Sequence, residues 1–152
     1  MLLYAAVRSS GQCSAWRAIG QSLLAKEDPA GAIAAFEHGL ALAAPGNWLF
    51  EDLKSRLVAV YESRGDLEGL SAYLEARIVQ DATDVSLSEL LADVTLRRGD
   101  AAKAEGLLKE IVAREPGRIS ALEKLIELYK SAGRADDLAA TFEVLIAQYP
   151  AE

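Results

Sequence analysis

Cysteine, histidine and methionine each occur once in the 152 residues, and proline four times. A lone Cys13 can form neither an intrachain disulfide nor a thiolate metal site, so the fold has to stand on packing. A lone His38 removes most zinc sites and leaves a Ser-His-Asp triad a single candidate base. No apolar run approaches the roughly 18 residues of a membrane span. The segment Met1–Val7 is apolar but short, has no basic residue ahead of it and lacks a clear cleavage site. It reads as structure rather than as a signal peptide, and a cytoplasmic address is the expectation for the chain as written. Positive charge is scarce too: 16 Lys and Arg stand against 23 Asp and Glu, a net charge of −7. Such a chain matches the phosphate backbone of a nucleic acid poorly. There is no phosphate-cradling glycine loop, no paired cysteine ligand and no HExxH spacing. No catalytic residue, cofactor or metal is therefore expected.

What is present is 51% apolar and 26% charged, the balance of a soluble globular chain. Three turns stand out: Arg64-Gly65-Asp66, Arg98-Gly99-Asp100 and Ala132-Gly133-Arg134, with glycines at 65, 99 and 133 and so a constant period of 34. Each glycine closes one helical apolar pattern and precedes another. Glycine accepts the left-handed conformation that ends a helix, and a following Asp caps the next. The phase extends back to Glu27-Asp28-Pro29, where the glycine is missing but Asp28 can cap and Pro29 suits the first helical position. About four extra residues fall around Gly46-Asn47-Trp48, so the first repeat is about one helical turn longer.

Between the turns the apolar residues follow the 3.6 period, as in Leu122, Leu125, Ile126 and Tyr129, then Leu138, Phe142, Leu145 and Ile146. Pro45, Pro116 and Pro150 each follow a second helix and stop it. Strand alternation is absent. The expectation is eight antiparallel helices in four pairs.

A 34-residue helix–turn–helix resembles the tetratricopeptide repeat. The first repeat carries the signature best, as Trp16-x2-Ile19-Gly20-x2-Leu23 followed by Ala32-x3-Phe36. Gly20 and Ala32 are small where the paired helices cross, and Trp16 and Phe36 fill the space between. Tyr61, Tyr129 and Ala104 keep the pattern. Lys54 and Ser88 at the Trp16 position depart from it, as does Arg77 at a usually small one. The resemblance implies an all-α solenoid of about four repeats in a right-handed superhelix, with the first helices lining a concave groove. Residues 1–12 read as an N-terminal leader or cap and 13–150 as the array, in repeats 13–50, 51–84, 85–118 and 119–152. Leu2–Arg8 fits either a cap or the remnant of a preceding repeat. No polar capping helix follows the fourth pair, so Phe142 and Leu145 are expected to be partly uncovered.

By the same resemblance the groove positions include Arg17, Gln21, Leu24, Asp52, Glu62, Glu89, Asp93, Leu96, Arg97, Glu123, Glu127 and Lys130. Acids concentrate in the third and fourth repeats, where Glu89/Asp93 and Glu123/Glu127 are each spaced i, i+4 on one helix face. Such pairs repel, which fits either a solvated face or a surface that meets Lys or Arg of a partner. A subtype of the family grips a chaperone's C-terminus through a carboxylate clamp. At those positions stand Arg17, Gln21, Arg56, Ser86 and Leu90, and the last two lack the required donors and charge.

The expected function is a protein–protein interaction scaffold that binds a peptide or helical segment, a basic one where the acids select it. The alternative is an assembly segment that self-associates, or docks to the rest of a longer chain, through its uncapped ends. An RNA-binding helical array is set aside by the net charge. Cys13 is expected to begin a helix as a quiet, part-buried thiol, and His38 to be solvated beside Glu37. Trp16, Tyr61, Tyr129, Phe36 and Phe142 are expected in the core. Trp48 and Phe50 are expected to pack the irregular junction between the first two repeats, the alternative being that they reach a partner, and Asp136 and Asp137 to favour the positive end of the last helix.

Overall fold

The computed structural model describes the backbone of residues 2–44, 47–80 and 84–148, and side chains from residue 11 onward within those ranges. Pro45, Gly46, Ala82 and the segment Tyr149–Glu152, with its Pro150, lie outside the described residues, and so do the side chains of Leu2–Arg8. Eight helices and no strands occur among the described residues: α1 (Leu2–Ala25), α2 (Pro29–Leu42), α3 (Trp48–Ser63), α4 (Leu67–Gln80), α5 (Val85–Arg97), α6 (Ala101–Arg114), α7 (Ile119–Ser131) and α8 (Ala135–Ala147). None is long and apolar enough to cross a membrane.

The 34-residue turns are local devices with a common geometry. Gly65, Gly99 and Gly133 take φ of +67°, +84° and +66°, and the N–H after each glycine donates to a carbonyl five residues back. That is the left-handed closure for which glycine has no steric penalty. In the first repeat Glu27 adopts the same conformation, with φ of 60°. The next helix is then capped by Asp28, Asp66 and Asp100, whose carboxylates accept from the backbone N–H three residues on. Asn47 and Asp84 cap α3 and α5. At the corresponding starts of α7 and α8 stand Arg118 and Arg134, which make no side-chain cap.

The chain divides into two compact bodies, Met1–Leu70 and Ser71–Glu152. In the N-terminal body α2 packs against α1 and α3. Gly20 sits against the Phe36 ring so closely that a Cβ there would overlap it. Ala32, Phe36, Leu40, Phe50 and Leu53 are fully enclosed. In the C-terminal body α5, α6, α7 and α8 pack in sequence around Val85, Ala92, Leu108, Ile111, Ala121, Leu125, Leu128 and Tyr129. A polar latch recurs in both bodies: the Tyr61 hydroxyl donates to Glu37 and the Tyr129 hydroxyl to Glu105, each over 3.1 Å.

Several expectations are corrected. α1 runs unbroken from Leu2, so Cys13 lies inside a helix and is buried rather than starting one; burial pushes its thiol up and keeps it quiet. Trp16 is only half-buried, its ring stacked on the exposed His38 at 4.9 Å. Phe50 packs the irregular junction, but Trp48 does not. Trp48 is 66% exposed at the start of α3, with the Arg17 guanidinium 5.7 Å from its ring centre. Phe142 is outside the core, at 42% exposure alongside the exposed Val144 and Ile146, which corrects its core placement and agrees with the expectation that the last helix is partly uncovered. The extra residues of the first repeat lengthen α3 to 16 residues, against 13 in α5 and α7.

Candidate functional site, a cleft in the C-terminal body

The positions read as groove-lining fall into three groups. In the N-terminal body Arg17 of α1 meets Asp52 of α3 at 3.6 Å, and Arg56 bonds the same carboxylate oxygen at 2.7 Å. Those bonds, Arg56 first, hold the Asp52 carboxyl below its ordinary range. Gln21 and Leu24 are exposed on α1, and Glu62 on α3.

On α5 the paired acids are engaged rather than free. Glu89 receives a two-pronged bond from Arg118, at 3.1 and 2.6 Å, and another from the Ser120 hydroxyl. Burial pushes the Glu89 carboxyl up, but the Arg118 and Ser120 bonds outweigh it and the net shift is downward. Asp93 is neutralised by Lys124 at 2.8 Å. These two carboxylates tie α5 to the fourth repeat. Arg97 and Lys130 lie exposed at the ends of α5 and α7.

The remaining three, Leu96, Glu123 and Glu127, line one cleft of about 640 Å³ between α7, the end of α5 and the start of α6. That volume is in the range of sites that enclose several side chains of a ligand. Its apolar surface comes from Leu96, Leu128, Ala101, Ala102 and Ala132, and small residues there let a partner backbone approach closely. The charged lining is uneven. Glu105 and Arg134 face each other at 2.6 Å, and Lys124 is held by Asp93. Glu123 and Glu127 are exposed and make no ion pair among the described residues. The net field offered to a ligand is therefore negative.

Glu105 is the anchor of one wall. Arg134, Lys109 and Tyr129 all donate to it, Arg134 most strongly, and its carboxyl is held at about 2. Sequence reasoning missed Glu105, Lys124, Arg118 and Arg134. The sequence signal was only partial: both arginines stand where the third repeat has Asp84 and Asp100, and it is the structure that pairs each with a glutamate 29 residues earlier. No group of three or more His, Cys, Asp or Glu that could hold a metal occurs among the described residues.

The family model described as the TT21 fifth ARM repeats domain matches residues 86–151. Among solved structures, the chain is similar to a tetratricopeptide repeat protein from Parabacteroides merdae, with a TM-score of 0.65 and 15% identity over 93% of this chain. It spans 55% of that protein's length. Two structures of MamA are also similar: one at TM-score 0.59 and 23% identity, covering 87% of this chain and 75% of the other, and one at 0.61 and 21%, covering 93% and 75%. No curated protein sequence matches. At such identities the likeness shows the fold. The chain has the all-α repeat fold of tetratricopeptide repeat proteins, built from helix–turn–helix units.

Proposed function

We propose that the chain is a protein–protein interaction scaffold whose C-terminal body receives a helical or extended segment carrying basic residues. A stacked helical-repeat fold is ordinarily a binding surface rather than a catalytic centre, because its shape offers side chains along grooves without enclosing a reacting atom. The observation that carries the reading is the cleft with its uneven charge. Its floor is apolar and small, its basic lining is already engaged, and Glu123 and Glu127 are not. One turn apart on α7, the two carboxylates match Lys or Arg spaced i, i+4 on a partner helix. Apolar side chains between those cations would bury against Leu96 and Leu128, supplying most of the affinity, while the charges select orientation and partner.

The test is fluorescence anisotropy with a labelled helical peptide that carries a leucine anchor flanked by two lysines four residues apart. The same peptide with glutamates in place of the lysines is the control. The basic peptide should bind and the acidic one should not, and the double variant Glu123→Lys/Glu127→Lys should reverse that order. Equal binding of both peptides to both proteins removes the cleft acids from the reading.

A further inference from the structure

The first and last helices differ from the interior ones at equivalent positions. The turn residues Glu27, Gly65, Gly99 and Gly133 share a left-handed φ and so fix the equivalence. Phe142 is the ninth residue after its turn, as Phe36 is in α2 and Leu108 in α6. Phe36 and Leu108 are each 0% exposed, in helices that pack against α3 and α7 of the following repeat. Phe142 is 42% exposed, with no further helix among the described residues to cover it.

α1 has the reverse deficit. Ile19 stands eight residues before its turn, where α3 has Leu57 and α7 has Leu125. Those two are 1% and 4% exposed, and Ile19 is 44%. Ala15 and Ser22 are exposed likewise, whereas their equivalents are buried: Leu53 and Val60 in α3, Ala121 and Leu128 in α7. α3 and α7 each pack on the helix before them, α2 and α6. So α8 lacks the cover of a first helix, and α1 lacks the cover of a second helix.

The two faces match in size and in polarity. Where α2 meets α3, Leu53 sits on Gly39, whose added Cβ would lie 3.0 Å from the leucine methyls. Where α6 meets α7, the same two positions hold Ala121 and Ile111, both in one core cluster. Each of these junctions lies within one body and sets a large side chain beside a small one. In α1 and α8 those positions hold Ala15 and Leu145, again small and large. Successive first helices are also joined by polar bonds: Arg17 to Asp52 at 3.6 Å, and Glu89 to the Ser120 hydroxyl with Arg118 beside it. Glu123 fills the Glu89 position in α7, and Ser14 and Gln12 fill the Ser120 and Arg118 positions in α1. All three are exposed, an acceptor on one helix and two donors on the other.

We infer that α8 of one copy packs against α1 of a second copy, repeating between chains the junction that α2 makes with α3 and α6 with α7. Phe142 and Leu145 bury against Ile19 and Ala15 of the second copy, and Glu123 accepts from its Ser14 and Gln12. The two surfaces are different, so the contact is head-to-tail and each copy can both give and receive. It does not rest on the cleft reading, with which it shares only Glu123.

Sedimentation velocity on the full chain, from low to high micromolar concentration, tests the association. The mass of the wild type should rise with concentration. Ile19→Asp and Phe142→Asp each place a carboxylate in the apolar junction, and each should weaken association about tenfold or more. Both positions are exposed in the single chain, so neither change opens a cavity in its core.

Mixing the two variants is the decisive step. Ile19→Asp keeps an intact α8 face and Phe142→Asp an intact α1 face, so an equimolar mixture should form dimers that grow no further. Misfolded variants cannot produce that result. A wild type that stays monomeric throughout overturns the inference. So does a mixture that stays monomeric, or an Ile19→Asp variant that associates as before, the result expected if two α8 faces pair symmetrically.

Discussion

The third and fourth repeats share one 34-residue register but begin their helices in different ways. In the third, Asp84 and Asp100 turn back onto the backbone N–H groups of their own helices. In the fourth, Arg118 and Arg134 occupy the same two places and reach 29 residues back, to Glu89 and Glu105. An aspartate cap satisfies donors that any helix start leaves open, so it works whether or not a neighbour is present. An arginine there leaves those donors to water and joins one repeat to the previous one. The helix starts of the third repeat are thus capped locally, with Lys103 of α6 also reaching back to Glu75 of α4, whereas those of the fourth are held only by reference to the third. That difference leaves Glu89 unavailable to a partner while Glu123 and Glu127, one repeat later on α7, remain open.

The largest expected effect breaks the apolar part of that attachment. Leu125 is 4% exposed in the core shared by α5, α6, α7 and α8. Leu125→Ala should cost about 3 kcal/mol through lost burial and the cavity left behind. Urea unfolding should show it as a lower midpoint. A loss under about 1 kcal/mol would mean the fourth repeat is held mainly by its ion pairs.

The ionic attachment is smaller and depends on pH. Glu105→Gln removes the group that Arg134, Lys109 and Tyr129 share. Because Arg134 is 41% exposed and screened by solvent, the expected fall in melting temperature is modest, about 2–4 °C. The sign follows from the shift. The folded carboxyl titrates at about 2 against an ordinary 4.5, so its contribution is fully present above 4.5 and is lost as pH falls towards 2. Wild type and Glu105→Gln should differ at pH 7 and converge in strong acid. A gap that stays constant across that range would assign the effect to shape rather than charge.

Double-mutant cycles sharpen the comparison further. Asp100→Ala should cost about 1 kcal/mol as a lost cap. Asp100 accepts from the Lys103 N–H, while Glu105 bonds Arg134, Lys109 and Tyr129, so Asp100→Ala and Glu105→Gln should add to within about 0.5 kcal/mol. Arg134→Ala and Glu105→Gln should not add, because each removes the other's partner. Additivity in both cycles would show that Arg134 is not joined to the third repeat in solution.

Much of this was legible in the sequence, and the part that was not has a common cause. Gly65, Gly99 and Gly133 announce turns because a left-handed backbone has one preferred residue, and the 34-residue period fixes the pairing of helices. Gly20 against Phe36 follows from size alone. Side-chain pairing between repeats does not. Glu89 and Asp93 look like a solvated or partner-facing pair until Arg118 and Lys124 are placed opposite them, and those partners lie 29 and 31 residues away. Arg118 and Arg134 read in sequence only as missing caps. Trp48 and Phe50, two residues apart, face solvent and core respectively, which an inserted turn of uncertain phase conceals. The start of α1 was misplaced at Cys13 because the family signature begins there, although the helix does not.

The smallest expected effect concerns the one turn that breaks the glycine rule. Glu27 holds φ of 60°, as Gly65, Gly99 and Gly133 do in the later turns, and its own turn has the same backbone hydrogen bonds: Glu27 N–H to Leu24 and Asp28 N–H to Leu23. The geometry is therefore shared, while the side chain at this position carries a steric cost of about 1–2 kcal/mol that glycine avoids. Glycine also has more freedom to lose on folding, which offsets part of the gain. Glu27→Gly should consequently raise stability by no more than about 1 kcal/mol, whereas Gly99→Ala in the equivalent turn should lower it by a similar amount. Thermal unfolding of the two variants beside wild type checks both signs. Stabilisation by neither Glu27→Gly nor a Glu27→Asn control would mean that the first turn differs from the later ones despite the shared φ.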